Sequence, residues 1–143
     1  MAIKVSGTTV VDDSRNLTNI AALTLAGTAN LADIQETVTA LGNTGTAKTI
    51  DLSLGTVYTA TLTGNCTFTV SNANAASSSF VLILTNDGSA GRTVAWSTGG
   101  TVKYPNGTVS RSTGANAVDV WFFFSPDGGS TWYASVPMTN VSA

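Results

Sequence analysis

Eight carboxylates, one thiol and no histidine are all that this 143-residue chain offers for acid–base or nucleophilic chemistry. Without histidine neither a Ser–His nor a Cys–His pair can form, and the commonest general base and metal ligand are both missing. The single cysteine, Cys66, supports neither an intrachain disulfide nor a structural zinc site. It alternates with Phe68 and Val70, which marks it as a small buried apolar residue. Cleaving a glycosidic bond takes two carboxylates facing each other across the sugar. Asp12 and Asp13 are adjacent, so in an extended segment they point apart, and two ligands are far too few for calcium. Asp51, Asp87, Asp119 and Asp127 sit in or beside strands and turns. Asp119 lies inside an otherwise apolar strand, where burial demands a partner such as Arg92 or Arg111. An ion pair or an exposed edge charge fits it better than acid catalysis. The glycines mark β-turns, with no phosphate-cradling loop before a helix. The residues argue against an enzyme and call for no cofactor or metal.

One local motif stands out. Ser125-x-Asp127-x-Gly129-x-Thr131-Trp132 has the form of an Asp-box, a β-hairpin signature seen in sialidases and other secreted β proteins. The resemblance implies that the Asp and Ser/Thr side chains bond the turn backbone while Trp132 packs beneath. Those roles are structural even in enzymes, and propellers carry several copies where this chain has one. The motif therefore reads as a turn-stabilising device. Trp96, Tyr104 and Trp121, with Trp132 and Tyr133 beside them, are candidates for stacking against a glycan from an outer sheet face. Core or subunit-interface packing is the weightier reading of the same rings.

The elements that must position these residues are strands. Charged residues make up only 10% of the chain and net charge is −2. Thr, Ser and Asn fill the gap, which suits strands joined by turns and a neutral polar surface. The six basic residues form no cluster, so a nucleic-acid surface is not expected. No long apolar run marks a signal peptide or a membrane span, and the expectation is a soluble protein made in a cytoplasm.

Residues 2–12 read as a short hairpin turning at Ser6-Gly7. Leu17, Ile20, Leu23 and Leu25 follow with no clean period. Leu31, Ile34, Val38 and Leu41 have helical spacing, but residues 36–41 alternate, and a strand is preferred for that second half. Beyond Lys48 the pattern is clearer. Tyr58, Ala60 and Leu62 share one face, continued by Cys66, Phe68 and Val70. Phe80–Leu84 and Val118–Phe124 are apolar on both sides, so they belong in central strands and need cover on both faces. The second of these folds back over the Asp127-Gly128-Gly129 turn. Turn signals every 8 to 12 residues predict an all-β fold, an antiparallel, jelly-roll-like sandwich over residues 48–137. It follows an extended N-terminal arm over 1–47 and precedes a loose tail over 138–143. No fixed-period repeat is legible. The arm's apolar residues Ile3, Val5, Val10, Leu17, Ile20, Leu23 and Leu25 cannot form a core alone, so they are the candidate assembly interface.

Six blocks resemble, in order, a β-rich domain that recurs in tailed-phage virion proteins, including tail-fibre and other structural proteins of cyanophages. They are Leu41–Ser53, Ala60–Phe68, Leu82–Asp87, Gly91–Trp96, Ala115–Asp119 and Asp127–Tyr133. The opening Ile3–Ile20 also looks like the start of such proteins. The resemblance implies a virion structural protein without enzymatic activity, frequently a homotrimer, whose partners are itself and the major capsid protein or tail proteins. Host-surface glycans are a further partner it allows; nucleic acid and membrane insertion are not expected. The chain lacks the extended β-helical or collagen-like shaft of long fibres. An arm and one globular unit fit a capsid decoration or cement protein, with a small tail appendage as the alternative.

Overall fold

The computed structural model describes residues 3–5, 8–11 and 34–141. Ile3–Val5 (β1) and Thr8–Val11 (β2) form an antiparallel two-stranded hairpin, as the Ser6-Gly7 turn predicts. Leu17, Ile20, Leu23 and Leu25 lie outside the described residues. Chain contacts divide the protein between Ile34 and Gln35, and each unit is taken by itself.

The second unit is built from strands alone, apart from one 3-10 turn, Pro105–Gly107. Its strands are β3 (Val38–Asn43), β4 (Ala47–Asp51), β5 (Val57–Leu62), β6 (Cys66–Ser71), β7 (Ser78–Asn86), β8 (Val94–Ser97), β9 (Thr101–Lys103), β10 (Val118–Ser125) and β11 (Thr131–Met138). Six of them form one sheet in the order β3-β5-β7-β10-β11-β9, and three form another in the order β4-β6-β8.

From β3 to β8 the chain passes to the other sheet at every step, and neighbours within a sheet run parallel. The result is a short coil of three turns. Its corners stack through backbone bonds: Thr44 N–H to Thr61 O at 2.9 Å, Thr67 N–H to Thr46 O at 3.0 Å, and Cys66 N–H to Thr93 O at 3.0 Å. Gly64 has no side chain because a Cβ there would lie 2.8 Å from the Gly45 carbonyl on the corner above. Thr49 and Thr69, paired across β4 and β6, join hydroxyls at 2.9 Å. After the coil, β10 lies antiparallel to β7, β11 returns antiparallel to β10, and β9 completes the far edge parallel to β11.

These pairings correct the expected topology. The unit is all-β, but a jelly-roll is antiparallel, and here only β7–β10 and β10–β11 are. Alternating side chains look the same in either strand direction, so hydrophobic period could not reveal it. The expected domain boundary also moves, because β3, assigned to the arm by the 1–47 division, is the edge strand of the large sheet. The strand reading of its second half agrees with β3. The tail is held as far as Val141, whose N–H donates to Val118 O at 2.8 Å.

Inward-facing residues of both sheets meet in one core. Tyr58, Leu62, Phe80, Leu82, Phe123 and Trp132 come from the large sheet, Ile50, Cys66 and Phe68 from the small one. Phe80 and Phe123 stack with centroids 4.6 Å apart, and Trp96 of β8 meets Phe123 at 4.3 Å, tying the sheets together. Cys66 is buried, and burial pushes its thiol up from the ordinary value, as an inert core residue requires.

Candidate functional site

The residues singled out by sequence fall into three groups. The Asp-box forms as a turn. Gly129 N–H donates to Ser125 Oγ at 2.8 Å, Thr131 N–H to Asp127 Oδ1 at 2.8 Å, and the Ser125 hydroxyl lies 3.0 Å from the same carboxylate oxygen. Gly128 and Gly129 take the left-handed φ values of 69° and 90° that this turn needs. Trp132 packs beneath, edge-on to Phe80 at 5.6 Å. The N–H of Thr131, ahead of the Ser125 hydroxyl, holds the Asp127 carboxyl below its usual value.

Asp119 is 2% exposed. Its two oxygens accept Ser112 N–H at 2.7 Å and Asn140 N–H at 3.0 Å, and Arg111 Nη1 stands 3.9 Å away. Arg111 also donates to the Asn86 side chain and to the Arg92 carbonyl. Arg92 itself forms a two-pronged pair with Asp87, at 2.9 and 2.6 Å. Arg111 is therefore the partner of Asp119. The carboxylate ties the 108–117 segment and the chain's end to β10, and every contact it makes is spent on that.

The three proposed stacking rings separate. Trp121 is 1% exposed and cannot meet a ligand, which corrects its assignment. Trp96 is half-buried, stacked on Phe68 at 5.0 Å and tilted against Trp121 at 5.6 Å. Tyr104, equally half-buried, borders open space.

That space is a groove of about 570 Å³ on the outer face of the large sheet. Its floor follows from β10. Asp119, Trp121, Phe123 and Ser125 point inward, so Phe122 and Phe124 point out, 44% and 39% exposed. Phe124 is paired with Tyr133 (49% exposed), Phe122 with Ser135, and Tyr133 with Lys103 of β9. The Lys103 ammonium sits 5.7 Å from the centre of the Tyr133 ring, within cation–π range. Tyr104 and Pro105 form the opposite wall, and burial pushes the Tyr104 phenol up, so it is a neutral hydroxyl at pH 7. A second groove of about 390 Å³ shares Tyr104, Pro105 and Ser135 and continues past Thr108 and Ser110 to Pro137. No carboxylate lines either groove, so neither holds the carboxyl pair that glycoside cleavage requires. Among the described residues no three metal-donor side chains gather.

Sequence reasoning placed Phe122 and Phe124 in a strand buried on both faces and so missed them as surface residues. The outward set of β10, Val118, Val120, Phe122 and Phe124, is the more apolar of the two, because the inward set carries Asp119 and Ser125 at its ends. Those two polar residues, each answering to a fixed partner, are the signal that distinguishes the faces. Comparison with protein-family models, curated proteins and solved structures finds no match to this chain.

Proposed function

We propose that the chain is a non-enzymatic structural protein of a tailed-phage virion, a capsid decoration or cement subunit held through its N-terminal arm and assembled as a homotrimer. The observation that carries the assembly role is a row of apolar residues across the outer face of the large sheet. Val38 pairs with Val57 and Val57 with Val81, all three pointing away from the core. Ile83 and Val120, also paired and outward, lie beside the row. A monomer leaves this surface in water, and contiguous apolar area of that kind is the usual mark of a protein interface. The two sheets, sharing one core, read as a parallel-coiled sandwich that would present this face to a neighbour.

Placement in a virion rests on the blocks of sequence resemblance. The neutral Thr/Ser/Asn surface suits a particle exterior. Quantitative mass spectrometry of purified particles tests it: a copy number matching the capsid lattice supports decoration, one matching the tail supports an appendage, and absence from particles overturns the proposal. The tail-appendage reading, in which the chain recognises host glycans, is favoured by one observation of its own, the aromatic groove between β9 and the β10–β11 hairpin.

A further inference from the structure

We infer that this groove binds an acidic saccharide, a sugar chain carrying carboxylates. The inference rests on the glycan-recognition reading and names the class of glycan. Phe122, Phe124 and Tyr133 expose ring area on one surface, and the C–H face of a pyranose lies flat on such rings. Tyr104, Tyr133 and Ser135 line the same groove and each carries a hydroxyl, the kind of partner that the hydroxyl rim of a stacked sugar needs. The volume is that of a small-ligand site, and the adjoining groove, with Thr108 and Ser110, continues it for further sugar units.

Charge selects the acidic member of this class. The chain as a whole has more carboxylates than cations, eight against six. The two grooves reverse that balance: Lys103 is the one charged side chain that lines them. It makes no ion pair among the described residues. Its ammonium lies over the Tyr133 ring within the same groove, where the carboxylate of a uronic or sialic acid stacked on the neighbouring Phe122 and Phe124 would meet it. A purely apolar protein partner would leave Lys103 and the rim hydroxyls unpaired on docking, at a cost the saccharide avoids.

Titration calorimetry on the full chain tests this with two matched pairs: tetragalacturonate against its carboxyl-reduced form, and sialyllactose against lactose. At least one acidic saccharide is expected to bind about tenfold or more tighter than its neutral match. Lys103→Gln, a change on an exposed edge strand, should remove that preference, so that the acidic saccharide binds no tighter than its neutral match. Phe124→Ala should weaken both members of the pair, with circular dichroism confirming the fold. Equal affinity within each pair, or a preference that survives Lys103→Gln, overturns the acidic assignment and leaves glycan recognition standing. Absence of binding to all four saccharides overturns both.

Discussion

Phe123 and Phe124 are consecutive in β10 and face opposite ways, the first stacked on Phe80 at 4.6 Å inside the core, the second 39% exposed beside Tyr133. A one-residue step thus separates a residue that holds the fold from one available for contact. Phe123→Ala should cost about 3–5 kcal/mol, the range for emptying a buried aromatic site. Phe122→Ala, on the open face, should cost under about 1 kcal/mol. Urea denaturation of the two variants measures the difference.

The Asp119 carboxylate makes a second separable prediction. Asp119→Ala strands the Ser112 and Asn140 N–H groups and leaves Arg111 without its counter-ion. A loss of about 3 kcal/mol or more is expected. Hydrogen exchange should show the Ser112 and Asn140 amides losing protection before those of β7.

Acid should act through the turn carboxylates. The N–H of Thr131 lowers Asp127, and the Arg92 side chain lowers Asp87, each from 3.8. In the unfolded chain these groups take up protons as pH falls through 3.8; in the folded chain they resist until lower pH. The unfolded state therefore binds more protons in that window, and the contribution, fully present above it, is lost as pH falls through the folded values. Melting temperature should drop below about pH 4, and Asp127→Asn should flatten that slope while lowering stability at neutral pH. An unchanged slope contradicts the role given to Asp127.

Gly100 links the turn to the groove. A Cβ at this position would collide with the Gly129 and Ser130 carbonyls, so β9 would have to move off the Asp-box turn. Gly100→Ala should cost about 1–3 kcal/mol, typical of overpacking. It should also weaken saccharide binding, because Lys103 and Tyr104 are carried on and just after β9. Calorimetry on a variant that remains folded checks this.

Much of this was legible in single strands. The alternation of Tyr58, Ala60 and Leu62, and of Cys66 and Phe68, marks the inward faces correctly. Ser125, Asp127 and Gly129 specify their turn by chemistry that does not depend on the rest of the fold. Direction of pairing was not legible. The corners at Thr44-Gly45 and Gly64-Asn65 have hairpin composition, yet each carries the chain across to the opposite sheet. Turn residues report a change of direction, and what lies beyond is decided by packing. Coil repeats were hidden for a related reason: the steps from Val38 to Val57 and from Val57 to Val81 differ in length, since loops of unequal size join strands in equal register. Exposure of Phe122 and Phe124 was hidden because apolar residues on both sides of a strand look alike until the core claims one side.

Sedimentation equilibrium on the purified chain tests the assembly proposal most directly. A homotrimer is predicted, with Val81→Asp, in the Val38–Val57–Val81 row, shifting it to monomer while circular dichroism stays unchanged. A wild-type chain that remains a stable monomer at high concentration contradicts the account.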